Sequence, residues 1–147
     1  MKKIIYVIAT ILLAASCQEK ADKVVEQIAG EWHYTDSESE VNEDVYVSFA
    51  TDGSFELYQK IGDGAYWYSE GTFTLDAETM VLTGVYTDRY PWKYSYKVTV
   101  NDRTLTLSAM ELEGYSTTYT RETIPAQVRK MSLPLTKSAA DEIQHFL

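Results

Sequence analysis

One thiol, two distant imidazoles, an acidic stretch and a dense set of aromatic rings are the side chains of this chain that could do chemistry. Cys17 is the single cysteine, so no internal disulfide can form and the leftover thiol calls for an explanation of its own. His33 and His145 stand far apart, and neither sits in a His/Cys/Asp/Glu spacing that holds zinc. Asp36, Glu38, Glu40, Glu43 and Asp44 crowd one stretch without the ordered Asp-x-Asp-x-Asp-Gly form of a calcium loop. A solvated loop accounts for them more simply. There is no Gly-x-Ser-x-Gly elbow, no phosphate loop and no cysteine–histidine pair. With no catalytic constellation to assemble, the chain reads as a non-enzyme that needs no cofactor and no metal. The aromatic side chains remain. Tyr66, Tyr68, Tyr86, Trp92, Tyr94 and Tyr96 gather in the middle of the chain. They are the candidates to line a pocket for a small hydrophobic or aromatic ligand, because such rings supply apolar area and a polar tip together. The same rings would serve equally as core and as cross-strand pairs.

The context of Cys17 gives its thiol a purpose. Lys2 and Lys3 precede an apolar run from Ile4 to Ala15, broken only by Thr10, and Ala14-Ala15-Ser16 lead into the cysteine. A positive start, a short apolar run and small residues at the end form a secretory signal. The run is too short to span a bilayer, which takes about 20 apolar residues. The small residues before the cysteine resemble the lipobox of bacterial lipoproteins, with Ala14 where leucine is usual. The resemblance implies removal of residues 1–16 and diacylglycerol on the Cys17 thiol. It places the protein in the cell envelope of a Gram-negative bacterium, held to the membrane by its lipid. Gln18 after the cysteine, where an aspartate would retain the protein at the inner membrane, fits delivery to the outer membrane on either face.

The 131 residues left suit one domain. The whole chain carries 22 acids against 13 bases, and loss of Lys2 and Lys3 takes the net charge to −11. That balance opposes binding to nucleic acid and keeps the globule off anionic lipid. Residues 17–27 are polar and charged, and read as a tether that begins to coil near Asp22–Ile28.

From Gly30 to Glu122 the pattern is one of short strands at regular spacing. Strands are expected at 30–35, 44–50, 55–61, 65–75, 79–87, 93–100, 103–111 and 115–122. Val45, Val47 and Phe49 alternate with Tyr46 and Ser48, and Asp52-Gly53 makes a hairpin turn. Gly71 within a long strand suggests a bulge or bend. Short connections make sequence neighbours antiparallel, and pairing of the first strand with the last would remove both edges. The expected fold is all-β: an eight-stranded antiparallel up-and-down barrel over residues 28–124, whose interior is filled by side chains or holds one small ligand.

The strand that opens this barrel begins Gly30-Glu31-Trp32, and the one that ends it carries Tyr119-Thr120-Arg121-Glu122-Thr123-Ile124-Pro125. Both resemble lipocalins and their calycin relatives, in particular small lipocalin-like lipoproteins of Bacteroidetes. The resemblance implies that Gly30, Trp32 and Arg121 close the barrel base, with the guanidinium stacked on the indole. It also implies a small apolar cargo and a first loop lying over the open end. The chain is shorter than full-size lipocalins and has no disulfide. Residues 125–147 form the tail: a helical turn after Pro125, then a capping box at Ser138–Asp141 before a terminal helix. The function expected is that of a lipid-anchored ligand-binding lipoprotein. The alternative is a protein-interaction or inhibitor module of an outer-membrane complex, whose envelope partner would meet an exposed patch at Tyr90-Pro91-Trp92.

Overall fold

A computed structural model describes residues 19–36, 42–135 and 147. The signal segment with Cys17, the middle of the acidic first loop and the expected terminal helix with His145 lie outside them. Eight strands run in order: β1 (Gly30–Asp36), β2 (Glu43–Phe49), β3 (Ser54–Ile61), β4 (Trp67–Asp76), β5 (Val81–Tyr86), β6 (Tyr96–Val100), β7 (Thr104–Ala109) and β8 (Ser116–Arg121). Each pairs antiparallel with the next, and β1 pairs with β8 through Trp32–Arg121 and His33–Thr120. The sheet is therefore a closed up-and-down barrel, consistent with a calycin-like fold. No strand of the ring is left with a bare edge.

Alternation fixes what fills it. Val45, Val47 and Phe49 on β2, Phe55 and Leu57 on β3, Phe73 and Leu75 on β4, and Leu105 and Leu107 on β7 are all buried inside. A slip of one residue in any strand would turn such a set outward. Gly71 makes no bulge. Toward β3 the register runs unbroken through it, opposite Phe55, and toward β5 it is the terminal pair, opposite Tyr86. It is small because the backbone of Val85 and Tyr86 lies against it, leaving no space for a Cβ.

The two ends of the barrel differ. At the base a helix, α1 (residues 19–28), precedes β1. Val24 and Val25 pack on the core, and Ile28 is fully buried. Most of the polar stretch before the barrel is thus coiled, with one apolar edge turned to the base. The Trp32 indole N–H donates to the Ile28 carbonyl at 2.8 Å. Arg121 lies over the Trp32 ring, its Cζ 4.1 Å from the ring centre. Its Nε donates to Asp102 and its Nη1 to Ala29, both at 3.0 Å, and its Nη2 reaches the Gln27 carbonyl at 3.3 Å. One guanidinium joins α1, the β6–β7 turn and β8. Gly30, at φ 129°, has room for that guanidinium only because it lacks a Cβ. Arg121→Ala should cost more than ~1 kcal/mol, because the indole loses its cover and three carbonyls lose their donor. Arg121→Lys should restore only part of it, since one ammonium cannot reproduce a planar fork. Urea unfolding of the two variants beside the parent measures both effects.

After β8 the chain crosses β1 and forms α2 (Ala126–Met131), then β9 (Leu133–Pro134), which adds parallel to β4 at Trp67 and Tyr68. Pro125 stands at the N-cap of α2.

Candidate functional site

The six aromatic side chains expected to line a pocket do not converge. Tyr66 and Tyr68 have the outward parity of Glu70 and Thr72. Together with Tyr46 and Tyr58 they form a second apolar cluster outside the barrel, closed over by Ile124 and Val128. Arg129 clamps this cover. Its Nη2 pairs with Glu31 at 2.6 Å, its Nη1 pairs with Glu56, and the guanidinium stands over the Tyr58 ring. The outward aromatics are thus covered by the chain's own tail. Tyr66 also donates to Asp44 at 2.5 Å. On the same face the ring nitrogens of His33 meet Asp44 at 2.7 Å and Glu122 at 2.8 Å, with Tyr46 stacked on the imidazole at 4.0 Å. A ring with carboxylates at both nitrogens keeps them on opposite sides, so these three groups share no point for a metal.

Tyr86, Trp92 and Tyr96 lie inside, and Tyr94 is half-buried between Tyr96 and Tyr115. Trp92 is 5% exposed, which removes it from the exposed patch expected at Tyr90-Pro91-Trp92, while Tyr90 and Pro91 are exposed. The chain turns back after β5 through Arg89, at φ 72°. Tyr86 N–H donates to the Tyr90 carbonyl at 2.8 Å and Trp92 N–H to the Gly84 carbonyl at 2.9 Å. Pro91 pairs with Val85 between those two bonds, where no N–H is required of it. Residues 93–95 then bulge, so β6 begins at Tyr96 rather than at Lys93. The result drops the Trp92 indole into the barrel against Phe49, Phe55 and Tyr96.

Inward parity divides the interior into two tiers. The half nearer the base is apolar. The half nearer the mouth holds tyrosines: Tyr34 on β1, Tyr86, Tyr96, Tyr115 and Tyr119. Burial pushes the hydroxyls of Tyr86, Tyr96 and Tyr119 well above the ordinary tyrosine range, and the other four raise that of Tyr119 further. The rings of Tyr34 and Tyr119 lie 5.9 Å apart. Gln59, fully buried on β3, belongs to the same interior, as does Trp67 by parity. Tyr34, Gln59, Ser69, Tyr115 and Tyr119 form no part of the pocket read from the sequence. Strand alternation is the signal that finds them.

At one seam of this tier β9 takes the place of β5: it pairs with β4 at Trp67 and Tyr68, with Leu133 and Leu135 N–H groups donating to the Tyr66 and Tyr68 carbonyls at 2.9 and 2.8 Å. β4 pairs with β3 over 67–72 but with β5 only over 71–76. Where they part, a cleft of about 310 Å³ is lined by Tyr68, Ser69, Tyr86, Thr87, Pro134 and Leu135, among others. Ser69 Oγ and Trp92 Nε1 are buried and find no partner among the described residues. Buried polar groups are ordinarily paired, and the exceptions concentrate where water, an ion or a ligand is bound.

The raised tyrosines give a dependence on pH. Tyr46, Tyr58, Tyr66, Tyr68 and Tyr115 shift upward as well, burial being the largest cause for each. An unfolded tyrosine ionises near pH 10. The folded chain holds its phenolic protons above that point, so their stabilisation is complete below about pH 10 and is lost as pH rises beyond it. The urea midpoint should stay level from about pH 7 to 9 on this account and fall steeply above about pH 10.5. Tyrosinate absorbance should appear together with unfolding rather than before it.

The fold and interior define the class as a closed eight-stranded antiparallel up-and-down barrel, consistent with a calycin-like fold, with a tyrosine-lined upper tier. No protein-family model matches the chain, and no curated protein matches it.

Proposed function

We propose that this chain is a lipid-anchored, non-enzymatic lipoprotein of the bacterial envelope, with a lipocalin-like barrel that binds a small, mainly apolar molecule among its upper-tier aromatics. The observation that carries the reading is the cleft between β9 and the end of β5 beside Tyr86, next to an interior that holds an indole N–H with no partner among the described residues. Rings with polar tips around an apolar space are how binding sites fix orientation. The anchor fits this geometry. Cys17 stands two residues before α1 in the sequence, and α1 lies at the base, so a lipid there leaves the seam and mouth turned away from the bilayer. The alternative of an interaction module keeps Tyr90 and Pro91 at the surface but not Trp92, which faces inward, and α2 packs over the outward tyrosines.

Native mass spectrometry of protein extracted from its own membrane tests both parts. The acyl mass should be present and should vanish in Cys17→Ser, and a retained small molecule should leave on mild activation. A fully lipidated protein with no retained molecule, and no thermal shift from apolar compounds, would sink the binding reading.

A further inference from the structure

The cleft between β9 and the end of β5 cuts through the barrel wall. Tyr68 and Glu70 at its rim have outward parity on β4, while Ser69 between them and Tyr86 on β5 face inward. The outer rim is acidic. Glu70 and Asp88 are both exposed, and Glu70 is oriented by the Tyr68 hydroxyl, which donates to it at 2.5 Å. Among the described residues no lysine or arginine lines the cleft, and neither carboxylate takes part in an ion pair. Arg89 lines the neighbouring groove and pairs with neither of them. Glu70 is the odd one of its kind on this face. It stands directly opposite Glu56 on β3, where like charges oppose each other at a cost. Glu56 has Arg129 for a partner and so has Glu31, whereas Glu70 has no cation. The inner wall is different. Tyr86 packs edge-on against Phe55 at 5.6 Å, and its hydroxyl is taken by the main-chain oxygen of the buried Leu147 at 3.0 Å, so its ring is what it offers. Pro134 and Leu135 form the β9 side, and Ser69 Oγ is buried there with no partner among the described residues.

We propose that this cleft binds a monoamine with an aryl or alkyl body. The ammonium stays at the rim between Glu70 and Asp88, and the body passes Ser69 to lie against the Tyr86 ring. This inference deepens the binding reading above and rests on it. A charge left at an exposed rim keeps most of its water, so it avoids the desolvation that bars an ion from the interior. Two carboxylates without a basic partner attract a cation and repel an anion, and the net charge of −9 on the chain adds a longer-range pull of the same sign. The Tyr68 ring beside them favours a cation as well.

The test titrates the full chain with 4-phenylbutylamine, 4-phenylbutanol and 4-phenylbutanoate, which share one body and differ in charge. Calorimetry should give the amine an affinity about ten-fold above the alcohol, as two exposed ion pairs and a cation beside a ring together provide, with the acid weakest. Glu70→Gln combined with Asp88→Asn should bring amine and alcohol within about two-fold of each other, and raising salt to about 0.5 M should narrow the gap in the parent. Ser69→Leu, which fills the passage, should weaken both alike. In the unaltered protein the amine should move the amide resonances of Ser69, Thr87 and Leu135, a reading that needs no variant to fold. An amine that binds no better than the alcohol overturns the proposal. So does a preference undiminished by the two acid substitutions, or a set of resonance shifts that leaves those three residues unmoved. If protein from the membrane carries a neutral molecule while the amine shows no advantage, the binding reading stands and this one falls.

Discussion

Trp32→Ala is expected to destabilise the barrel by about 3–5 kcal/mol, the range for a large aromatic removed from a closed core. Trp32 is fully buried, and three separate parts of the base meet on it. Its indole N–H ties it to the last turn of α1 at Ile28. Its ring carries the Arg121 guanidinium. Its backbone pairs on one side with Val47 and on the other with Arg121, at the closure of β1 on β8. Alanine keeps the backbone pairing but removes the other two ties, leaving Arg121 over a void and the Ile28 carbonyl without its donor. For a domain of this size the loss corresponds to a fall in Tm of roughly 10–20 °C. Trp32→Phe, which keeps a ring but not the N–H, should recover more than half. Urea unfolding followed by far-UV circular dichroism measures all three proteins. A loss below about 1 kcal/mol in the alanine variant would mean that the base is not closed through Trp32, whatever the pairing of β1 and β8.

The ring of strands was legible because a barrel is written in period two. Val45, Val47 and Phe49 could face only one way, and Asp52-Gly53 could only reverse the chain. Gly30, Trp32 and Arg121 were legible for a related reason: the strand order brings the ends of β1 and β8 together, and so joins residues far apart in sequence. The site was harder. Tyr66 and Tyr86 are both tyrosines in a β pattern, yet one lies under α2 and the other inside the barrel. Composition does not distinguish them; parity counted from Phe73 or from Leu82 does. Trp92 shares the parity of the buried Tyr96 and Val98, but it stands before β6 beside Pro91, where the sequence suggested an exposed loop and alternation was not applied. Leu147 escaped every local rule. A residue held in a barrel by one phenol and an apolar surround has no periodicity to announce it. The outward aromatics of β2, β3 and β4 misled for the opposite reason. They read as a surface for a partner, and the partner is the chain's own α2, which a six-residue helix pattern hardly signals.

The second large effect is expected at Gly84, from what glycine leaves out. It faces inward on β5, opposite Phe73 on β4, and a Cβ built there would stand 2.5 Å from Cδ2 of Trp92 and closer still to Cε2. The indole can step aside only by giving up its contacts. Its backbone is bonded to Gly84 itself, and Phe49, Phe55 and Tyr96 surround its ring. Gly84→Val should therefore cost about 3 kcal/mol, at the upper end for overpacking, even though valine suits a strand better than glycine does. Trp92→Ala should cost about 3–5 kcal/mol by leaving an indole-sized void. The two losses should not add. Valine at 84 grows into the space that alanine at 92 vacates, so the double variant should be more stable than the sum by about 2 kcal/mol. Fluorescence gives an independent reading: Gly84→Val should shift tryptophan emission to the red as the ring is driven toward solvent, and Trp67→Phe in both backgrounds leaves Trp32 and Trp92 as emitters, of which only Trp92 adjoins the substitution. Additivity within about 0.5 kcal/mol would mean that Trp92 does not rest on Gly84. A coupled result has a consequence for binding. It would show that the loop after β5 enters the barrel because one residue on the opposing strand was left without a side chain, so the volume beneath the tyrosine tier is set by a loop residue, and loops change more freely than strands.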